Sequence, residues 1–164
     1  MPRLIPSLIL AMLAAVLAAC GFHLQAPSVL PEAMAQTRLD IQDPYSPFAR
    51  QLAIMLEQNG VQVVDEGASA AILEVPENAV RKEILTIGDS ARVREYRVHH
   101  AVTFRLLDAQ GVVIVPAHRL EQSRVISFDE QDILAAAQEE EFLRKNMVDT
   151  LSRLVLRHLG SARS

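Results

Sequence analysis

The chain has 164 residues, 50% of them hydrophobic, with 16 basic and 20 acidic side chains and a formal net charge of -4 at pH 7. A slightly negative balance excludes a general electrostatic grip on nucleic acid or on an anionic membrane surface, while leaving room for a local basic cluster to hold phosphate. One cysteine and no Cys/His cluster exclude a disulfide or zinc scaffold, and without internal repeats or low-complexity tracts the chain reads as a single globular domain behind its N-terminal segment.

The N-terminal segment has the form of an export signal: Arg3, an apolar stretch from Leu4 to Leu17, then the small residues Ala18 and Ala19 before Cys20-Gly21. A membrane-spanning anchor needs about 20 apolar residues, whereas this run is shorter and Pro6 interrupts its start. The string Leu17-Ala18-Ala19-Cys20 resembles the bacterial lipobox. That resemblance implies cleavage after residue 19, an S-diacylglycerol on the Cys20 sulfur and an N-palmitoyl group on its new amine. The thiolate is the nucleophile such a transfer needs, and lipidation consumes a thiol that would be a liability in an oxidising compartment. Each buried methylene adds roughly 0.8 kcal/mol of membrane affinity, so two or three chains hold a protein for good.

Residues 20–36 carry Pro27 and Pro31 with little periodicity and read as an extended tether. Thr37 to Ile41 alternates as a short strand, and Asp43-Pro44-Tyr45-Ser46-Pro47 turns the chain into a helix with Ser46 as N-cap and Pro47 at the first helical position. Phe48, Leu52, Met55 and Leu56 keep helical spacing until Asn59-Gly60 closes the helix. Val61 to Val64 enters a short strand, and Ala71, Leu73 and Val75 alternate until Pro76 limits the ladder. Val80 to Ile87 either continues that strand or forms its partner, with a turn at Gly88-Asp89-Ser90. The clearest strand follows: Tyr96, Val98, His100, Val102, Phe104 and Leu106 on a dry face, Glu95, Arg97, His99, Thr103 and Arg105 on a wet one.

Asp108 to Gly111 is a tight turn into a returning strand that Pro116 must kink, at a bulge or an edge, and alternation resumes weakly through Leu120, Ile126 and Phe128. Asp129 is the expected N-cap of a last helix running to Leu159, with Leu143, Met147, Leu151, Leu154 and His158 on one stripe and Gly160 beyond its end. Residues 37–160 therefore predict one α+β domain, a two-layer sandwich of two helices on a largely antiparallel or mixed sheet of about four strands, with 161–164 as a short tail.

No phosphate loop, zinc spacing or nucleophile elbow is present, so no catalytic residue, metal site or cofactor is expected. His99 and His100 point to opposite faces of one strand; His118 on the next strand can approach one of them, but no Cys or carboxylate completes a tetrahedral set. These read as packed or solvated histidines. Glu139, Glu140 and Glu141 fan around a helix and read as its solvated start. Arg92 and Arg94 sit at the end of the dry face beside apolar side chains, where forked phosphate binding next to acyl chains is chemically reasonable and ordinary strand-end arginines fit equally. Arg81-Lys82 and Arg144-Lys145 are further basic pairs.

Taken in order, Cys20-Gly21-Phe22-His23-Leu24, Asp43-Pro44 with Pro47 and Arg50, Asn59-Gly60-Val61, Arg94-Glu95-Tyr96, and Lys145 with Met147 resemble the LptE family of lipopolysaccharide-assembly lipoproteins of Gram-negative outer membranes. The resemblance implies a non-enzymatic lipoprotein on the periplasmic side of the outer membrane. It would sit as a plug in the lumen of the large LptD-like assembly barrel and bind lipopolysaccharide, with Arg92, Arg94 and Lys145 as candidate contacts. Gly21, rather than an inner-membrane-retaining Asp, is compatible with passage to that membrane. The competing reading is another accessory lipoprotein of the envelope, a peptidoglycan-binding module or a subunit of a barrel-insertion complex.

Overall fold

The structure, a computed structural model, describes residues 30–67, 70–88, 93–127 and 132–162. The signal, Cys20 and most of the tether, Asp89 and Ser90 of the expected turn, Arg92, Phe128, Asp129 and the last two residues lie outside them. A single helical turn at Glu32–Met34 leads into β1 (Gln36–Ile41), α1 (Pro47–Gln58), β2 (Gln62–Val64), β3 (Ala71–Ile87), β4 (Val93–Leu107), β5 (Val113–Ser127) and α2 (Ile133–Ser161). The sheet order is β2-β1-β3-β4-β5. β1 runs parallel to both β2 and β3, while β3, β4 and β5 form an antiparallel meander. The sheet is thus mixed and has five strands, one more than expected; the three-residue β2 is held at its start by Gln62 N–H donating to the Ala35 carbonyl at 2.9 Å.

Local chemistry sets the ends of α1. Pro47 occupies the first turn and the Ser46 hydroxyl accepts from Ala49 N–H at 3.2 Å. The exit is made by Gly60 at φ +85, a conformation that costs a side-chain-bearing residue dearly. Gly111, at φ +82, does the same in the β4–β5 turn, where the Asp108 carboxylate accepts from Gln110 and Val112 N–H at 2.9 and 2.8 Å.

Pro76 limits the ladder to β1, as its missing donor suggested, while β3 itself runs on through Val80 to Ile87, the first of the two readings of that segment. Pairing to β1 stops at Val75, so beyond it that edge of β3 has no neighbour to satisfy, and an irregularity between Glu74 and Glu77 absorbs the proline. Pro116 falls, as expected, on an edge strand and in a bulge: Phe104 and Leu106, two residues apart, pair with His118 and Val115, three apart. Two details of α2 differ from the expectation. Asp132, not Asp129, accepts from Ala135 N–H, and Gly160 lies within the helix, whose last turn also has the Ser161 hydroxyl donating to the His158 carbonyl.

Both helices cover the same face of the sheet. Phe48, Leu52 and Leu56 of α1 meet Leu151, Val155 and Leu159 of α2 over Leu73, Val75, Val102 and Phe104 in one core. α2 packs against α1 and β5 at once, so its buried arc is broad: Ser152 and Leu156 are inside it, whereas the expected Leu154 and His158 are only half-buried. A second, smaller cluster of Tyr96, Val98, Ile126 and Met147 with Leu143 lies under the first half of α2. Beyond it, β3 from Arg81 to Ile87 is exposed.

Candidate functional site

Three features are candidates: the hairpin tip, the face of the sheet that the helices leave open, and the groove between them. At the tip Arg94 is exposed and its side chain lies across Gly88, where an added Cβ would come 2.9 Å from Nε. Ile84 and Ile87 stand nearby on β3, 57% and 61% exposed. Leu107 at the other end of β4 is level with the start of β1, where the tether enters. The thirteen steps from Arg94 to Leu107 put Arg94 about 40 Å from the tether end at some 3.3 Å per residue.

The open face carries the alternation read from the sequence, and its charges are largely paired among themselves. Arg97 donates to Glu83 at 3.3 Å, and His99 sets its two ring nitrogens 3.2 Å from Glu83 and 2.9 Å from Glu121. Arg119 bridges Glu121 at 2.7 Å and Glu77 at 3.2 Å, and the Thr103 hydroxyl donates to Glu77 at 2.7 Å. Hydrogen bonds from Thr103 and then Arg119 lower the Glu77 pKa, and those from Arg119 and then His99 lower that of Glu121. Each pair is exposed and worth little to stability alone. Together they present a polar surface whose charges are mostly neutralised.

On the helix side, a groove of about 1130 Å³ runs between α1 and α2 over β3 and β4, with Val80, Val98 and His100 on its floor and Arg50, Arg144 and Lys145 on its walls. His100 is buried; burial first, and then Arg144, lower its pKa, so it is neutral near pH 7 and donates Nε2–H to Asn78 Oδ1 at 2.8 Å. The Asn78 amide in turn donates to Ser46 Oγ at 3.1 Å, tying the groove floor to the cap of α1. Ser46→Ala is therefore expected to cost about 1–2 kcal/mol, read as a lower urea midpoint at unchanged slope; a midpoint equal to that of the parent chain would show that the cap carries no weight.

The candidate residues do not converge. Arg94 is at the tip, while Lys145 lines the groove, exposed and paired with Glu141 at 2.8 Å. Lys82 and Arg144 are engaged internally, both on Glu140 at 2.7 Å, where the Tyr96 hydroxyl also donates at 2.7 Å and Lys82 lies over the Tyr96 ring. Glu140 corrects the reading of its run as solvated: Glu139 and Glu141 are outside, but Glu140 faces the sheet. The signal was its spacing three and seven residues before Leu143 and Met147, which puts all three on one helical stripe. Burial alone would raise the Glu140 pKa, and the bonds from Lys82, Tyr96 and Arg144 outweigh it and hold the carboxyl at about 2. Burial and the Glu140 contact push Tyr96 up to about 12.

Among the described residues, no helix is long and apolar enough to cross a membrane, and no group of three or more His, Cys, Asp or Glu is placed to hold a metal ion. The sequence model of the family described as LptE, lipopolysaccharide-assembly, matches residues 35–159. The chain is 26% identical over 155 residues to the LPS-assembly lipoprotein LptE of Photorhabdus laumondii, covering 93% of this chain and 84% of the relative. It is 28% identical over 165 residues to that of Yersinia pestis, covering 93% and 74%. Among solved structures it resembles a minor lipoprotein of Acinetobacter baumannii, with TM-score 0.67, 26% identity and coverage of 81% of this chain and 96% of that one. It also resembles an uncharacterized lipoprotein B of Nitrosomonas europaea, with TM-score 0.68, 27% identity and coverage of 84% and 88%.

Proposed function

The chain belongs to the LptE family of lipopolysaccharide-assembly lipoproteins, and on that premise we propose that it is a non-enzymatic outer-membrane lipoprotein, held by lipids on Cys20, that plugs and supports an LptD-like barrel and contacts lipopolysaccharide. The observation that carries this reading is the placement of the tether and Arg94 at opposite ends of an elongated sheet. The hydrocarbon core of a bilayer is about 30 Å thick. A domain anchored in the inner leaflet and standing in a barrel lumen would thus bring its tip towards the outer leaflet, where lipopolysaccharide is delivered. The self-paired polar face supports the same reading, since lumens of large barrels are polar, and a surface whose charges are already matched can face such a wall without stranding an ion. At the tip, Arg94, and Arg92 beside it in sequence, would hold lipid phosphate while Ile84 and Ile87 meet acyl chains. Lys145 would be a second, separate contact on the groove.

Two measurements test this. Purification of the chain from detergent-solubilised outer membrane is expected to bring down a large β-barrel, identified by mass; recovery with peptidoglycan or with barrel-insertion subunits instead would reject the plug. Arg92→Glu combined with Arg94→Glu is expected to weaken lipopolysaccharide binding by about tenfold or more, as loss of charge-assisted phosphate contacts should, with unchanged thermal unfolding. Lys145→Glu should have a smaller effect. Parent affinity in the arginine variant would remove the tip from the site.

A further inference from the structure

Outside these features, two histidines from distant parts of the chain face each other. His118 on β5 stands opposite Phe104, and His158 comes down on it from the last turns of α2, with ring centres 5.4 Å apart and planes at 48°. Both are half-buried, and both rest against Phe104, itself fully buried, at 5.9 and 6.1 Å. His158 is oriented by its own helix: Nδ1–H donates to the Leu154 carbonyl at 2.9 Å. That bond fixes the tautomer and leaves the Nε2 lone pair free, which is how metal-ligating histidines are commonly held. With metal–nitrogen bonds of about 2 Å at a tetrahedral angle, the centres of two coordinating imidazoles stand about 5 Å apart. The observed separation matches.

We propose that His118 and His158 form a two-imidazole site for a borderline divalent cation of the zinc, nickel and copper group. Two ring nitrogens would replace two of the cation's waters, with no change of oxidation state, and the remaining positions stay with water. Imidazole donors suit these metals, whereas magnesium and calcium require oxygen. Because one ligand comes from the edge strand and the other from the terminal helix, the cation also fastens the end of α2 to the sheet.

The test uses the untagged full-length chain, with Cys20→Ser throughout so that no thiol competes, and ZnCl2 as the probe. Zinc is expected to shift the ring ¹⁵N resonances of His118 and His158 and to raise the melting temperature. His118→Ala and His158→Ala should each weaken zinc binding about tenfold or more, while His99→Gln leaves it unchanged. Should His158→Ala fail to fold, His118→Ala, at a half-buried site on an edge strand, decides the matter alone. Undiminished affinity in His118→Ala, or a Cys20→Ser chain with both histidines intact whose melting temperature and histidine resonances ignore zinc, would reduce the pair to aromatic packing on Phe104.

Discussion

Glu140→Ala is expected to destabilise the domain by about 2–3 kcal/mol, because it strips the acceptor from three donors at once in a mostly enclosed place. The side chain is 17% exposed and, among the described residues, carries the polar tie from the first half of α2 to the sheet: Lys82 of β3 and Tyr96 of β4 both end on it, with Arg144 of α2 beside them. Without it the Tyr96 hydroxyl is left under the helix, and two cations face each other across the vacated site. Equilibrium urea unfolding reads the loss directly, and exchange of the α2 amides before Met147 should rise more than that of the turns after Leu151, which the main core holds independently. Acid makes the same point without a mutation. The folded Glu140 pKa, about 2, lies below its ordinary value of 4.5, so its contribution is complete above 4.5 and disappears as pH falls from there through 2. The parent chain should lose stability across that window more steeply than Glu140→Gln. Parallel pH profiles for the two would show that the carboxylate is not the tie.

Whether a residue's role could be read from the sequence depended on how far away its partner lies. Ser46-Pro47, Asn59-Gly60 and Asp108 to Gly111 act within four residues, and each turn or cap formed where its chemistry pointed. The two faces of β4 were equally plain, since strand alternation is set by the pleat. What escaped needed a neighbour from elsewhere. Pro76 marked a limit to the ladder, but whether Val80 to Ile87 continued the strand or formed its partner stayed open, because nothing local says that β1 ends opposite Val75, freeing that edge. Asp129 and Asp132 are alike as N-caps by composition, and it is the second that accepts from the first turn of α2.

The same holds for the candidate site. Arg94 and Lys145 were recognisable as cations suited to phosphate, but their separation on tip and groove follows from the sheet register and from where α2 lies across it. Glu140 was hidden by the carboxylates on either side of it. His118 and His158, forty residues apart on a strand and a helix, could not be paired until both were placed in space. The chemical types are thus legible in the chain itself, while their combinations are a property of the fold.

Replacing Cys20 by alanine is expected to have the largest effect of any single substitution, acting on location rather than stability. If the Leu17-Ala18-Ala19-Cys20 string is a lipobox, the thiol is the only acceptor for the diacylglycerol, and neither signal cleavage nor palmitoylation of the new amine follows without it. A single myristoyl-sized chain gives only reversible membrane binding, with an association constant of about 10⁴ M⁻¹, whereas each further chain contributes roughly 0.8 kcal/mol per buried methylene. Losing all of them removes the protein from the outer membrane by many orders of magnitude in partitioning. Labelled palmitate should enter the parent chain and not Cys20→Ala, and the variant should accumulate as the longer precursor, absent from the outer-membrane fraction. The folded domain itself should be untouched, because the core it carries draws on residues from Met34 onward, none of them near Cys20 in sequence, and neither of its helices can span a bilayer. Label in the variant, or the variant's retention in the outer membrane, would mean that something other than lipid on this cysteine holds the protein there. The proposed orientation, with the arginine tip turned away from the anchored end, would then lose its premise.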